Sequence, residues 1–311
     1  MVIRTDADSV KSVRLVTSIE EKPDKLYVLD HGIKRWVSSM AALESIELSL
    51  SDLEYISMEE LSAYRIGSAI VRAVGCIEDC KNFMEARQFL TKNFTGYGIE
   101  FGAALNPTPV PISCRTDYAD YYSADEGCYA DYSGNKGDFV PVKFATGLQE
   151  MAGIPQDHLD YIIACHVIEH VSQTVQALKH SWEKLSEGGT LLMAIPHKEY
   201  CFDLKRELTP LEHFIDDYEN YCISKDVIHI IDFMVHTKED DKPVNAMDIY
   251  TSCLRLLNGG KVDIHYHTFT EDSFSRLINW FASNVYKWRK IEIINRIPYP
   301  GSNEFLVLLT K

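Results

Sequence analysis

No stretch of this chain is long and apolar enough to span a bilayer. The longest nearly apolar segment, Val227 to Val235, is interrupted by His229 and Asp232, whereas a membrane helix needs about 20 apolar residues. The segment Met1 to Arg14 mixes charges with apolar residues and has no continuous apolar core, so no secretory signal is expected and the cytoplasm is the expected compartment. Paired cysteines are missing as well. The eight cysteines are scattered singly, and the closest pair, Cys76 and Cys80, lacks the C-x-x-C spacing of redox and zinc sites, which leaves reduced thiols. Positive charge is in short supply: 31 Lys and Arg face 46 Asp and Glu, a formal net charge of −15. That balance repels DNA, RNA and anionic membrane surfaces, so no nucleic-acid partner is expected. The densest basic group, Lys287 to Lys290, reads as a solvated helix end.

What is present is a globular composition, 46% hydrophobic and 25% charged, in 311 residues, enough for one large domain with a small appendage. The appendage is expected over residues 1–65. Lys25 to Leu29 and Ile33 to Val37 are β-rich runs around Asp30-His31-Gly32, where glycine can take the positive φ of a hairpin turn. A short helix is expected from about Ser39, and a helical bridge over Ile66 to Phe94. The main domain, residues 66–311, alternates strands and helices from Tyr97 onward, the mark of a parallel sheet. Strands are predicted at Tyr97 to Phe101, Arg115 to Ala119, Phe139 to Phe144, Leu159 to Cys165 and Thr190 to Ile195. A helix from Thr174 to Leu185 is expected to stop at Gly188-Gly189. A helical insertion over about 201–264 follows, then a helix at Glu271 to Tyr286 and strands at Ile291 to Ile297 and Glu304 to Leu309. The short turn joining those two strands makes them antiparallel. The fold class is therefore α/β, doubly wound, with a terminal antiparallel hairpin.

Gly98-Ile99-Glu100-Phe101-Gly102-Ala103-Ala104-Leu105-Asn106-Pro107 is a hydrophobic strand ending in an acid and small residues, which lets backbone approach a ligand at the carboxyl edge of a sheet. Its glycine content is poor, and Asn106 is the expected left-handed residue at the third position. Asp120 follows the second strand, where a carboxylate can accept ribose hydroxyls. Ala164-Cys165-His166-Val167-Ile168-Glu169-His170-Val171 and then Leu185-Ser186-Glu187-Gly188-Gly189-Thr190-Leu191 complete the series. With these residues the sequence resembles class I S-adenosylmethionine-dependent methyltransferases. It is most similar to a bacterial subgroup with a Gly-Leu-Glu-Ile-Gly-type first turn, a Phe-Asp-x-x-Arg-x-x-Thr-x-x-x-His-x-x-x-Asp-Tyr segment and a late His-x-His. The counterparts here are Phe202, Asp203, Arg206, Thr209, His213, Asp217 and Tyr218, then His265 and His267. The resemblance implies S-adenosyl-L-methionine as cofactor. It places Glu100, Gly102, Ala104 and Asn106 in the first turn, Asp120 on the ribose, and Cys165 and His166 near the sulfonium. Phe144 and Ala145 are the default adenine neighbours, because no acid follows the third strand.

The segment after strand four lacks the Asn/Asp-Pro-Pro-Tyr/Phe of adenine and glutamine N-methylation, which favours O-methylation. His213 and Asp217, four apart, share a helix face, and His265 and His267, two apart, share one face of an extended segment. Any of these imidazoles could be a general base, with Asp203 and Arg206 lining the acceptor pocket. His-x-His with His213 and Asp217 would also supply enough ligands for a divalent ion, although no metal is assigned. The acceptor class implied is small or medium and polar, a sugar, nucleotide-sugar or glycan. A non-catalytic module on the same fold and a glycosyltransferase-type enzyme are the alternatives. Oligomeric state is left open.

Overall fold

The computed structural model describes residues 13–20, 25–30, 32–121, 139–237 and 244–311. His31, in the expected hairpin turn, lies outside them. The chain forms two compact units, Met1–Gly96 with Ala103–Ala145, and Tyr97–Gly102 with Thr146–Lys311.

The first unit holds a five-stranded sheet in the order β4-β1-β2-β3-β5, made of β1 (Arg14–Ser18), β2 (Leu26–Asp30), β3 (Ile33–Val37), β4 (Leu53–Ile56) and β5 (Arg65–Ile66). The expected hairpin is its centre, with Leu26 opposite Val37 and Asp30 opposite Ile33, and Gly32 turns the chain at φ +78°. Strands β1 and β4 were not anticipated. Successive residues of β1 are buried on opposite faces, Leu15 with Val28, Ala42 and Leu43, Val16 with Leu29, Ile56 and Leu61. Covered on both sides, the strand has no apolar/polar alternation to betray it. Helix α1 (Met40–Glu44) starts as expected, capped by the Ser39 side chain, and α2 (Met58–Ser62) follows β4. The helical bridge expected over Ile66 to Phe94 shrinks to α3 (Phe83–Thr91) and one 3-10 turn at Ile77–Asp79. The chain before α3 is irregular because Glu85 gathers it: its carboxylate accepts from Arg72 Nη2 at 2.9 Å and from the Lys81 amide at 2.9 Å. This unit also carries the parallel pair β7 (Arg115–Asp120) and β8 (Val142–Ala145); the latter starts three residues later than the predicted Phe139.

The second unit supplies β6 (Tyr97–Phe101), β9 (Leu159–Cys165), β10 (Leu185–Pro196), β11 (Lys290–Ile294) and β12 (Glu304–Thr310). The large sheet runs β11-β12-β10-β9-β6-β7-β8. Strands β6, β9 and β10 are parallel, while β12 is antiparallel to both β10 and β11. With helices α4 (Thr174–Lys184) and α8 (Glu271–Asn284), this is a Rossmann-like α/β fold closed by an antiparallel hairpin. The insertion comprises α5 (Leu211–Glu219), α6 (Ile223–His236) and α7 (Ala246–Leu257). Among the described residues no helix is long and apolar enough to cross a membrane. One correction concerns Gly188-Gly189. Helix α4 ends at Lys184 and Leu185 is already extended, so the glycines are no helix stop. They sit inside β10, where pairing to β9 breaks register between Leu185 and Thr190. Gly188 takes φ +81°, and a Cβ on Gly189 would come within 2.9 Å of the Leu159 and Ser186 carbonyls.

The β6–β9 seam depends on another glycine. Gly98 faces Tyr161 across the parallel pair, and a Cβ there would lie 2.2 Å from the Tyr161 ring, which is 1% exposed. We expect Gly98→Ala to lower unfolding free energy by about 1–3 kcal/mol, measured by urea denaturation. Tyr161→Leu in the same chain should recover part of the loss. An unchanged midpoint for the single variant would show that the seam has slack.

Candidate active site

Strands β6 and β9 are parallel neighbours whose carboxyl ends lie side by side, Phe101 opposite Ala164, and open α/β sheets bind ligands at the carboxyl ends of their strands. Glu100 is buried one residue before the end of β6. Gly102 follows at φ +66°, and a Cβ on it would meet Val167 Cγ2 at 2.9 Å. Backbone must pass close to the Val167 side chain here, which explains the glycine. Strand β9 ends in half-buried Cys165, and His166 then adopts φ +53°, a left-handed conformation that costs a non-glycine residue about 1–2 kcal/mol. The left-handed residue of the first turn is Ala104, φ +45°, and not Asn106 as expected; the Asn106 amide instead donates to the Ala103 carbonyl at 2.9 Å. In the first unit, Asp120 closes β7, while Phe144 and Ala145 close β8, Ala145 exposed.

His166 is clamped between two buried carboxylates. Its Nε2 lies 2.8 Å from Glu304 Oε2 and its Nδ1 3.5 Å from Glu169 Oε1. Glu304 is further held by the Tyr299 hydroxyl, which donates to Oε1 at 3.2 Å. Burial alone would lower the imidazole pKa, but Glu169 and Glu304 outweigh it and push it up to about 9. Burial likewise pushes the Glu169 carboxyl up, and His166, His170 and His265 outweigh that and hold it low. The clamp therefore holds a protonated His166 ring against the Glu169 carboxylate and the Glu304 side chain at neutral pH.

Beyond Glu169 the network enters the insertion. His170 Nδ1 sits 2.9 Å from Asp263 Oδ1, and its ring meets that of His265 edge to face at 4.7 Å. His265 Nδ1 is 2.6 Å from Asp203 Oδ2, and Arg206 Nη1 donates to Asp203 Oδ1 at 2.8 Å. Asp203 and Arg206 are both buried. Burial raises the Asp203 carboxyl, but His265 and Arg206 outweigh it and keep it low. The Asp203 carboxylate orients the His265 ring through Nδ1, and Glu169, His170 and His265 each bring one ligating atom to within 4.8 Å of the others. Arg206 also donates to Asp232 at 2.8 Å and to the Tyr266 carbonyl at 3.2 Å, so the two residues expected to line an acceptor pocket spend their polar atoms inside the protein.

The His-x-His pair does not act as one face. His265 joins Asp203, whereas His267 joins His213 and Asp217, the helical pair that packs as expected, Nε2 to Oδ2 at 3.1 Å. His267 Nε2 lies 2.9 Å from the Ser172 carbonyl, and burial drives its pKa well below the ordinary histidine value. Sequence spacing did not reveal Glu169, Glu304, His170, His229 or Asp263 as members of these clusters. Only the Glu169-His170 dipeptide, inside the quoted motif, offered a cue; Glu304 stands 138 residues from His166, beyond any local pattern.

No family model matches the chain, and no curated protein matches it. Among solved structures, it is similar to a methyltransferase from Thermotoga maritima described as a possible histamine N-methyltransferase, with 13% identity over 69% of this chain and 82% of that one, TM-score 0.36. A methyltransferase from Leishmania major gives 12% identity over 70% and 64%, TM-score 0.37. The CurJ carbon methyltransferase gives 12% over 70% of this chain and 49% of its own, TM-score 0.37. Likeness of this degree carries no argument about activity.

The clamp has a pH signature. With the folded His166 pKa near 9 against 6.5 for the free side chain, its stabilisation is complete below about pH 6.5 and is lost as pH rises through about 9. Urea midpoints of wild type and His166→Gln should differ most at pH 6 and converge by pH 10. A gap of constant size would mean that the ring is neutral throughout.

Proposed function

We propose that this protein is an S-adenosylmethionine-dependent O-methyltransferase acting on a small or medium polar acceptor, with a sugar or nucleotide-sugar as the leading class. The observation that carries the reading is the parallel pairing of β6 with β9, whose carboxyl ends lead into Gly102 and His166, both left-handed, at φ +66° and +53°. S-adenosylmethionine, when bound, supplies an electrophilic methyl group on a sulfonium. The Glu169 and Glu304 side chains that clamp His166 put acidic groups beside the position proposed for the cationic sulfur. Glu100, Gly102, Cys165 and His166 are the proposed neighbours of its methionine end. Ala104, Asn106, Asp120, Phe144 and Ala145 remain the residues proposed for the rest of the cofactor, Asp120 for the ribose. Residues 66–311 are the proposed catalytic domain.

For a hydroxyl acceptor the chain must remove a proton as the oxygen attacks. His265 is the proposed base. Asp203 orients its ring and stabilises the imidazolium that forms, and Arg206 holds Asp203 in place. His267 gives its Nε2–H to the Ser172 carbonyl and His213 is paired with Asp217, whereas the Nε2 of His265 has no such bond, and His265 is the ring proposed. The end of β9, Ala164-Cys165-His166-Val167, supports oxygen over amide or exocyclic nitrogen as the methylated atom.

Calorimetry with S-adenosylmethionine and S-adenosylhomocysteine tests the cofactor assignment directly: a non-catalytic module would bind neither. Asp120→Ala should raise the dissociation constant roughly tenfold to a hundredfold, the equivalent of about 1.5–3 kcal/mol for a charge-assisted hydrogen bond. Unchanged affinity would remove Asp120 from the site.

His265→Ala should lower turnover of a hydroxyl acceptor about a hundredfold to ten-thousandfold, leave cofactor affinity within a few-fold, and leave a residual rate that rises with pH. A variant within a few-fold of wild type would assign the proton to another group.

A further inference from the structure

Three histidines and an aspartate from α5, α6 and the segment before α8 converge on one point. Asp217 and His213 come from α5, His229 from α6, and His267 from the segment before α8. His213 Nε2 lies 3.1 Å from Asp217 Oδ2 and 3.3 Å from His229 Nε2. Asp217 Oδ2 is also 3.7 Å from His229 Nε2, and His267, whose Nε2–H donates to the Ser172 carbonyl at 2.9 Å, keeps its lone pair on Nδ1. One ligating atom from each of the four residues lies within 4.8 Å of every other. Four ligands at about 2.0–2.1 Å from a tetrahedral ion stand about 3.4 Å apart, and the His213, Asp217 and His229 atoms, at 3.1, 3.3 and 3.7 Å from one another, are close to the edges of such a cage. The three imidazole planes are close to mutually perpendicular, at 84°, 80° and 76°, as rings are when each points a nitrogen at a common centre rather than stacking.

The polar accounting points the same way. Asp217, His229 and His267 are all more than nine-tenths buried, yet His267 Nδ1 has no hydrogen-bond partner, and a buried polar atom left unpaired is costly. The His229 Nδ1–H donates to the Tyr266 carbonyl at 3.0 Å, which leaves Nε2 with its lone pair toward the others, the outer-shell arrangement of metal-bound histidines.

We infer that His213, Asp217, His229 and His267 form a four-ligand site for one divalent transition ion of the zinc class. Three nitrogens and one carboxylate oxygen suit that class better than calcium or magnesium, which prefer oxygen. Four protein ligands close the coordination sphere, so the ion is structural and fastens α5 and α6 to the segment that carries His265. His213, more than a third exposed, gives the ion its way in. The inference stands apart from the methyltransferase reading, since the cage is complete without a cofactor.

The test uses the full chain without a histidine tag. Elemental analysis should find one zinc per chain, chelation should lower the melting temperature by several degrees, and zinc should restore it. Cobalt(II) added to the chelated chain should give the intense visible bands of a four-coordinate ion. His213→Gln, a change at the cluster's open side, should leave the chain folded and weaken cobalt binding at least tenfold, and His229→Ala should abolish it. His236→Gln, an exposed histidine of α6 outside the cluster, should change nothing. Equal melting temperatures for chelated and zinc-saturated chain, with only the faint absorption of six-coordinate cobalt, would overturn the site. So would a bound ion that both His213→Gln and His229→Ala retain, because it would lie elsewhere.

Discussion

A carboxylate with no exposure to water has to be matched by positive charge, or it protonates. Glu169 is such a group, at 0% exposure, and much of the second unit is arranged around it. It stands just past the end of β9, faces His166 on one side and His170 and His265 on the other, and its backbone carbonyl accepts from the Tyr266 amide at 2.7 Å. The same residue therefore fixes the imidazole at the sheet edge and the segment that delivers the proposed base. Chemistry at the edge and packing of the insertion are not separable here.

The insertion is fastened to this centre by paired rather than single contacts. The Thr209 amide donates to Thr268 Oγ1 at 3.1 Å and the Thr268 amide donates back to Thr209 Oγ1 at 3.0 Å. Arg206 spans Asp203, Asp232 and the Tyr266 carbonyl. Reciprocal bonds of this kind restrict sliding as well as separation. They hold residues 265–268 in one register, so that His265 and His267, two positions apart, keep to different carboxylates.

Much of the fold was legible in the sequence because the parallel core strands are short apolar runs separated by helical periods. Tyr97–Phe101 and Leu159–Cys165 were bounded as the structure has them. The failures have particular causes. Strand β1 escaped because both of its faces are covered, which erases alternation. Gly188 was read as a helix stop because a left-handed glycine looks the same in a helix cap and in a strand bulge. The third position of the first turn went to Asn106 on propensity, while the structure bends at Ala104. Within the site, partners four apart such as His213 and Asp217 could be paired by helix geometry. Glu304 with His166 could not, since antiparallel β12 brings them together only after the rest of the sheet is laid down.

That placement of β12 has a consequence for how the protein is made. Its residues pair with β10 from Thr190–Thr310 to Pro196–Glu304, so β12 fills a slot between β11, the strand just before it in sequence, and β10, which lies upstream of the whole insertion and α8. A ribosome delivers β10 first, then the whole insertion and α8, and only afterwards the strand that covers the apolar edge of Leu191 to Ile195. Throughout that interval the nascent sheet carries an unpaired hydrophobic border, the kind of surface on which other chains add strands. Yield in the cell should therefore depend on translation speed and on chaperone supply as much as on the stability of the finished molecule.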